Sequence, residues 1–418
     1  MPEVGIVYNA DLSINYEATA QALREALIES TDPSYPVDLV KVEYNIYGIS
    51  LTDDWIANYK DLSYKVLDSD LLDGIKAGKF GLGDQLLRLS WRGNADYKPF
   101  EETRVRVKMV DNRQPTEVVL KPSISLIYNK DAAAMTQQIF EYVIDWDDST
   151  LPDKSTLSAD DFTIEYYATA KVVAGDLGGD VGRQKWVPIE GEEGISVGKL
   201  QYFYPQMGAG EQQIRVTFNG SETYRPSEAE EGSLTVKKAN VSVKVHSTSI
   251  YADEVPGEGF VTTDPVDDFD IFTVYTGVSS VFVQLPERYT DNAFIEAIDP
   301  VLEKAGLRTI QDIMDKGITV GELKQNLDKI ANGSEYAAVR EALKLMGVDV
   351  TTLQQIINVF NKITLLDNVR IALRTPDQVG IYTVYAITNN DNYNTGFGTG
   401  HKKGIDVCSS PAVQDIKS

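Results

Sequence analysis

The chain has 418 residues, 42% of them hydrophobic, with 39 Lys and Arg against 63 Asp and Glu for a formal net charge of -24. That length predicts two to four domains, and so acidic a surface repels nucleic acid and anionic lipid, which excludes both as general partners. A single cysteine, Cys408, and two histidines, His246 and His401, exclude an intramolecular disulfide, a zinc cluster built from this chain alone and chemistry that draws on several histidines.

At the start, MPEVGIVYNA has neither the basic segment nor the long apolar segment of a signal peptide. No apolar run approaches the roughly 18 residues that a membrane span needs, so no membrane insertion is expected. The sequence is read either as cytoplasmic or as a segment of a longer exported chain. EATAQALREALIES then has helical spacing, with Leu23, Leu27 and Ile28 on one face. KVEY, ending at Tyr44, reads as a strand, and Trp55 in TDDWIANY lies in a loop or strand edge where an exposed ring could hold a sugar.

GLGDQLLRLSWRGNADYKP, residues 81 to 99, aligns without a gap on GAGEQQIRVTFNGSETYRP, residues 208 to 226. Arg88 falls on Arg215, Trp91 on Phe218, Gly93 on Gly220, Tyr97 on Tyr224 and Pro99 on Pro226. Upstream, LSINYEATAQAL matches ISLIYNKDAAAM, and KVEY matches TIEY, which ends at Tyr166. Two homologous domains follow from that correspondence. A third, weaker copy is marked by TVY ending at Tyr275 and by GIYTVYAITNNDNYN, which places Tyr393 on Tyr97. In each copy an alternating strand, a turn and a second alternating strand make a hairpin. The tyrosine after the turn is expected to cover the end of the core while its hydroxyl reaches backbone. Trp91, on an alternating strand, reads as core.

In the second copy, KDAAAMTQQIFEYVID repeats the helical spacing through Met135, Ile139, Phe140 and Val143. GDLGGDVG is a flexible glycine-rich loop without the Lys-Ser/Thr that a phosphate site requires. Trp186 in RQKWVP is a second ligand candidate. His246 in VSVKVHSTS reads as a strand position. Lys237, Lys238 and Asn240 lie near a domain edge, where some surface domains form an isopeptide bond, although no flanking pattern singles them out. The carboxylate groups of DWDDSTLPDKS and of DPVDDFD, the latter with Asp264, Asp267, Asp268 and Asp270, read as solvated loops or as calcium sites, and neither has EF-hand spacing. No metal, cofactor or catalytic residue is assigned.

From about 290 to 366 the sequence is helical throughout. Thr319 and Glu322 have capping-box spacing, Gly306, Gly317 and Gly347 sit at helix stops, and Leu353, Ile356, Ile357 and Phe360 form one stripe. Four or five short helices are expected, as a guest bundle that could be excised from the third domain at the small entropic cost of a loop. DVCSSPAVQDIKS reads as a polar tail.

LTVKKANVSVKVHSTSIYADE and PDQVGIYTVYAITNNDNYN resemble the tandem bacterial immunoglobulin-like surface repeats of the YGX type, in which one domain ends on such a strand and the next begins at once. Here Tyr251 is followed by Ala252 where that family has Gly, and the first two copies lack this junction. The resemblance implies seven-stranded sandwiches in a surface stalk or adhesin, and supplies no catalytic residues. The expected fold is therefore mainly β: tandem immunoglobulin-like β-sandwich domains over 1–113, 117–238 and 239–407, each of the first two with a short edge helix, a helical bundle inserted in the third, and a polar tail at 408–418. The expected role is that of a non-enzymatic extracellular or cell-surface segment, monomeric within a longer parent chain, which spaces or carries binding to a host protein, matrix protein or glycan. The alternative is a set of carbohydrate-binding accessory domains of a secreted hydrolase.

Overall fold

The computed structural model describes residues 1–29, 34–45, 64–67, 80–173, 180–197, 200–251, 254–345, 348, 350–362, 367–400 and 405–408. Trp55, His401, Gly347, most of the GDLGGDVG loop and the residues after Cys408 lie outside them. The chain is mainly β, built round several sheets, and it divides into two compact units. One comprises Met1–Leu120, Ile144–Thr163 and Val216–Glu230, the other Lys121–Val143, Ile164–Arg215 and Glu231–Ser418.

The first sheet has the edge-to-edge order Glu3–Gly5, Phe100–Val110, Gly83–Trp91, Lys41–Asn45, Tyr64–Val66. In the second the order is Ile124–Ile127, Glu230–Lys237, Gly210–Phe218, Phe162–Val173, Leu200–Tyr204, Glu192–Val197, with Asp180–Pro188 also on Phe162–Val173. The third is built round Gly380–Asn389 and Asp270–Thr276, flanked by Ile405–Cys408 and Thr248–Tyr251 on one side and by Val281–Gln284 on the other. Tyr44, Tyr166 and Tyr275 are all buried on central strands, as the repeat requires.

Helix α1 (Tyr16–Leu27) starts where Asn15 Oδ1 accepts from the Ala18 amide. It lays Leu23 into a core with Val42, Tyr44, Leu87 and Leu89. Helix α2 (Ala132–Gln138), capped by Asp131, runs on into a π-helical turn, Ile139–Val143. That extra residue per turn still buries Met135, Ile139, Phe140 and Val143 together.

The inserted region forms α3 (Asn292–Lys304), α4 (Ile310–Lys316), α5 (Val320–Asn332), α6 (Ala337–Leu345) and α7 (Val350–Lys362). The Thr319–Glu322 capping box opens α5, and Gly317, at φ 68°, closes α4. The bundle is not a guest. Phe272, Val274, Val283, Tyr385 and Ile387 from the sheet share one core with Phe294, Ile298, Leu302, Leu353 and Phe360 from the helices. The other face of the same strands carries Tyr275, Phe282, Tyr382 and Val384 in a separate cluster. Runs such as FTVY, VFV and VYAI put apolar side chains on both faces, and a strand of that kind needs cover on both. The insertion also contributes Ile318–Thr319, which pairs with Arg370–Ala372 beside Val281–Gln284.

Two further expectations are corrected. His246 is not in a strand: it falls on the break between Ser242–Val245 and Thr248–Tyr251, exposed, with its ring on Thr262 Oγ1 at 2.9 Å. Cys408 is not in a tail but ends the strand Ile405–Cys408, opposite Tyr251.

Candidate functional site

The recurrent tyrosine loop is built from backbone geometry. Gly93 and Gly220 adopt φ of 76° and 87°, and a Cβ on either would meet the nitrogen of Pro99 or Pro226 at 2.7 Å, so only glycine fits both. Beyond it, Asn94 Oδ1 accepts from the Asp96 and Tyr97 amides at 2.9 and 2.8 Å, and Ser221 Oγ accepts from the Thr223 and Tyr224 amides at 3.3 and 3.2 Å. Tyr97 O and Tyr224 O close the turn by accepting from the Asn94 and Ser221 amides. The hydroxyls reach side chains rather than backbone where their partners are described: Tyr97 bonds Ser34 Oγ at 3.1 Å, and Tyr393 donates to Asp267 Oδ2 at 2.7 Å. Burial, then the bond and charge of Asp267, push the Tyr393 hydroxyl pKa up.

The second and third of these loops hold a neighbouring segment. Gln114 donates its amide to Thr223 O at 2.8 Å and accepts from the Arg225 amide at 2.8 Å. Ala239 repeats this with Asn392 O at 3.0 Å and the Asn394 amide at 2.8 Å. Side chains reinforce both contacts. Arg113 pairs with Asp111, donates to Ser221 O at 3.1 Å and lies 3.8 Å from the Tyr8 ring centroid. Burial works to raise the Asp111 carboxyl pKa, but Arg113 and Arg225 outweigh it and hold it below the usual range. At the second contact Tyr128 packs edge-on against Tyr393 with centroids 5.4 Å apart, and Asn394 Nδ2 donates to Asn240 Oδ1 at 2.8 Å. The Asn240 side chain is thus engaged by Asn394, and Lys237 ends the strand Glu230–Lys237.

The acidic groups are engaged by donors. Asp267 Oδ1 accepts from the Asp268 amide, and Asp270 accepts from the Tyr289 hydroxyl at 2.8 Å and pairs with Arg288. In the other group Asp153 Oδ1 caps Ser155, and Asp145 Oδ1 accepts from the Asp147 amide. Among the described residues no three His, Cys, Asp or Glu groups converge as a metal site would need.

Beside the second contact, within the larger unit, lies an open polar cleft of about 1020 Å³. Tyr167, Gln184, Gln212, Asp268, Arg288 and Asn390 are among the residues that line it. Arg288 Nε is buried without a hydrogen-bond partner. Tyr167 leans on the half-buried Trp186 at 5.2 Å between centroids, and the Arg215 guanidinium lies 4.9 Å from the Trp186 ring. Arg215 in turn pairs with Glu165, as the equivalent Arg88 pairs with Glu43. Both pairs therefore read as structural, and Trp186 as the stacked ring that covers one of them. Trp91 is half-buried against the first core.

No protein-family model matches the chain, and no curated protein matches it. Among solved structures it is similar to Drosophila N-cadherin EC1-4, at 10% identity over 91% of this chain and 69% of that one, with a TM-score of 0.15. It is also similar to mouse protocadherin-24 EC1-3, at 9% identity over 78% and 80% with a TM-score of 0.14, and to chicken CNTN1 FN1-FN3, at 10% identity over 89% and 91% with a TM-score of 0.13. Likenesses this remote say nothing of activity, ligand or partner. Among the described residues no helix is long and apolar enough to cross a membrane.

Proposed function

We propose that the chain is a non-enzymatic segment of a bacterial surface or secreted protein, made of immunoglobulin-like repeats over 1–113, 117–238 and 239–407, that serves as a structural stalk or adhesin. The observation that carries this reading is the repeated seizure of a connecting residue, Gln114 or Ala239, by the tyrosine loop that follows it in sequence. Two backbone bonds at each connection fix the chain where one repeat passes to the next, which is what a spacer needs and a catalyst does not. The test is to display the whole chain between a cell-surface anchor and an epitope. The epitope should become accessible to bulky bead-bound antibody, and Tyr224→Ala with Tyr393→Ala should reduce that access. Access no better than that of the epitope fused directly to the anchor refutes the spacer role.

A second reading, carbohydrate binding, is favoured by the amide-rich cleft and by Tyr167 in its wall. Binding of the whole chain to a glycan array, lost on Gln184→Ala with Tyr167→Ala, would establish it.

A further inference from the structure

The loop of the first repeat has the form of the filled loop of the second. Asp96 N, Tyr97 N and Tyr97 O are spent inside the turn, as Thr223 N, Tyr224 N and Tyr224 O are. In the second repeat this leaves Thr223 O and the Arg225 amide to hold Gln114. Their counterparts, Asp96 O and the Lys98 amide, have no backbone partner among the described residues, and both residues are exposed. Met1 and Pro2 do not supply one: Pro2 O accepts from the Lys108 amide at 2.9 Å, along the first strand.

We infer that the Tyr97 loop is a docking site for an extended segment, and that its occupant is the segment following Cys408 of a second copy, arriving head to tail. This rests on the array reading above. In each of the three larger sheets the last strand pairs in parallel with the first, with Val110 opposite Gly5, Lys237 opposite Ile127 and Cys408 opposite Tyr251. The chain leaves the first two of those strands and reaches the next loop four residues on, at Gln114, and two residues on, at Ala239. Two to four residues beyond Cys408 the sequence reads Ser410-Pro411-Ala412, and its Ser-Pro parallels Gln114-Pro115. The two bonds that hold the segment are backbone bonds, so they require an extended chain in register.

The test uses hydrogen exchange on the whole chain and on a fusion of two whole copies joined 418 to 1. The connection between last and first strands would then have 12 residues (409–418, Met1 and Pro2), between the 13 of 111–123 and the 10 of 238–247. In the single chain the Arg225 and Asn394 amides should be protected and the Lys98 amide fast. In the fusion, Lys98 of the second copy should slow by about fivefold or more, the minimum for gaining a pair of net-favourable bonds. Gly93→Val in that copy should return it to the fast rate while Arg225 stays protected, which shows the repeats still folded. An unchanged Lys98 in the fusion overturns the docking site, and so does a Lys98 already slow in the single chain at a dilution where sedimentation shows it monomeric. Fast exchange at Arg225 and Asn394 would instead remove the array reading on which the inference rests.

Discussion

Replacing Ile387 by Ala deletes part of a fully buried side chain on the sheet face that the bundle covers. Large-to-small changes of this kind cost about 2–5 kcal/mol. If sheet and bundle share one core, that loss must appear in the helical signal, although Ile387 lies in the strand Gly380–Asn389 and not in a helix. Ile298→Ala, on α3, should then lower the same transition by a similar amount. Removing the whole bundle exposes Phe272, Val274, Val283, Tyr385 and Ile387 together, at about 1.5–3 kcal/mol each. The total, roughly 7–15 kcal/mol, equals the whole stability of an ordinary domain, about 5–15 kcal/mol. Excision of 290–366 should therefore leave an unfolded or insoluble product. The assay is urea denaturation followed by far-ultraviolet circular dichroism for the helices and by hydrogen exchange at Gly380–Asn389 for the sheet. An Ile387→Ala variant whose helical midpoint stays put while the sheet weakens would refute the shared core.

Three further outcomes are expected. Glu43 is buried and bonded by Arg88 at 2.8 Å and Lys41 at 2.7 Å; burial alone would raise its pKa, but these partners hold it below the ordinary value. Its contribution is therefore present above the ordinary glutamate range and lost as pH falls through the depressed folded value, so Glu43→Gln should flatten the acid limb of a stability-pH profile. It should also cost about 3–5 kcal/mol, of which Glu43→Val with Arg88→Leu recovers most, following the Val274–Tyr385 pair that stands in this place in the third sheet. Gly220→Ala, with φ at 87° and Pro226 N at 2.7 Å from its Cβ, should cost about 1–3 kcal/mol in chemical denaturation, and Gly83→Ala, with φ at 97° but open space, less. Burial pushes the Tyr166 and Tyr275 hydroxyl pKa values up, so stability should hold below about pH 10 and fall as pH rises from there toward the folded values, and Tyr275→Phe should blunt that alkaline loss in a pH-stability series.

The repeat was legible in the sequence because turn chemistry writes itself into residue types: Gly93 and Gly220 are fixed by backbone angle, Pro99 and Pro226 by the same crowded corner. The Thr319 cap and the α2 stripe were legible for a similar reason, since Thr319 acts through its own side chain. The hold on Gln114 and Ala239 left no such trace, because main-chain atoms of Thr223, Arg225, Asn392 and Asn394 make it. The polar cleft was equally hidden, its walls coming from Tyr167, Asp268 and Asn390, far apart in sequence. The shared core did leave a signal. FTVY and VFV lack the polar alternation of QIRVTF, and that difference marks a strand buried on both faces. His246 escaped because two residues of irregular backbone, His246 and Ser247, do not disturb an alternating pattern.

The parallel pairing of first and last strands sets how each repeat meets tension. Drawn apart by its ends, the first sheet has Glu3–Gly5 pulled one way and Lys108–Val110 the other, along the strand axis and across the hydrogen bonds that join them. Ile124–Ile127 against Leu234–Lys237, and Thr248–Tyr251 against Ile405–Cys408, are loaded in the same direction. Bonds arranged like this share the strain and must break together, in shear, whereas antiparallel neighbours opened from one end would unzip bond by bond. Extension along the chain therefore meets three such patches in series, and each repeat resists until its own patch gives way.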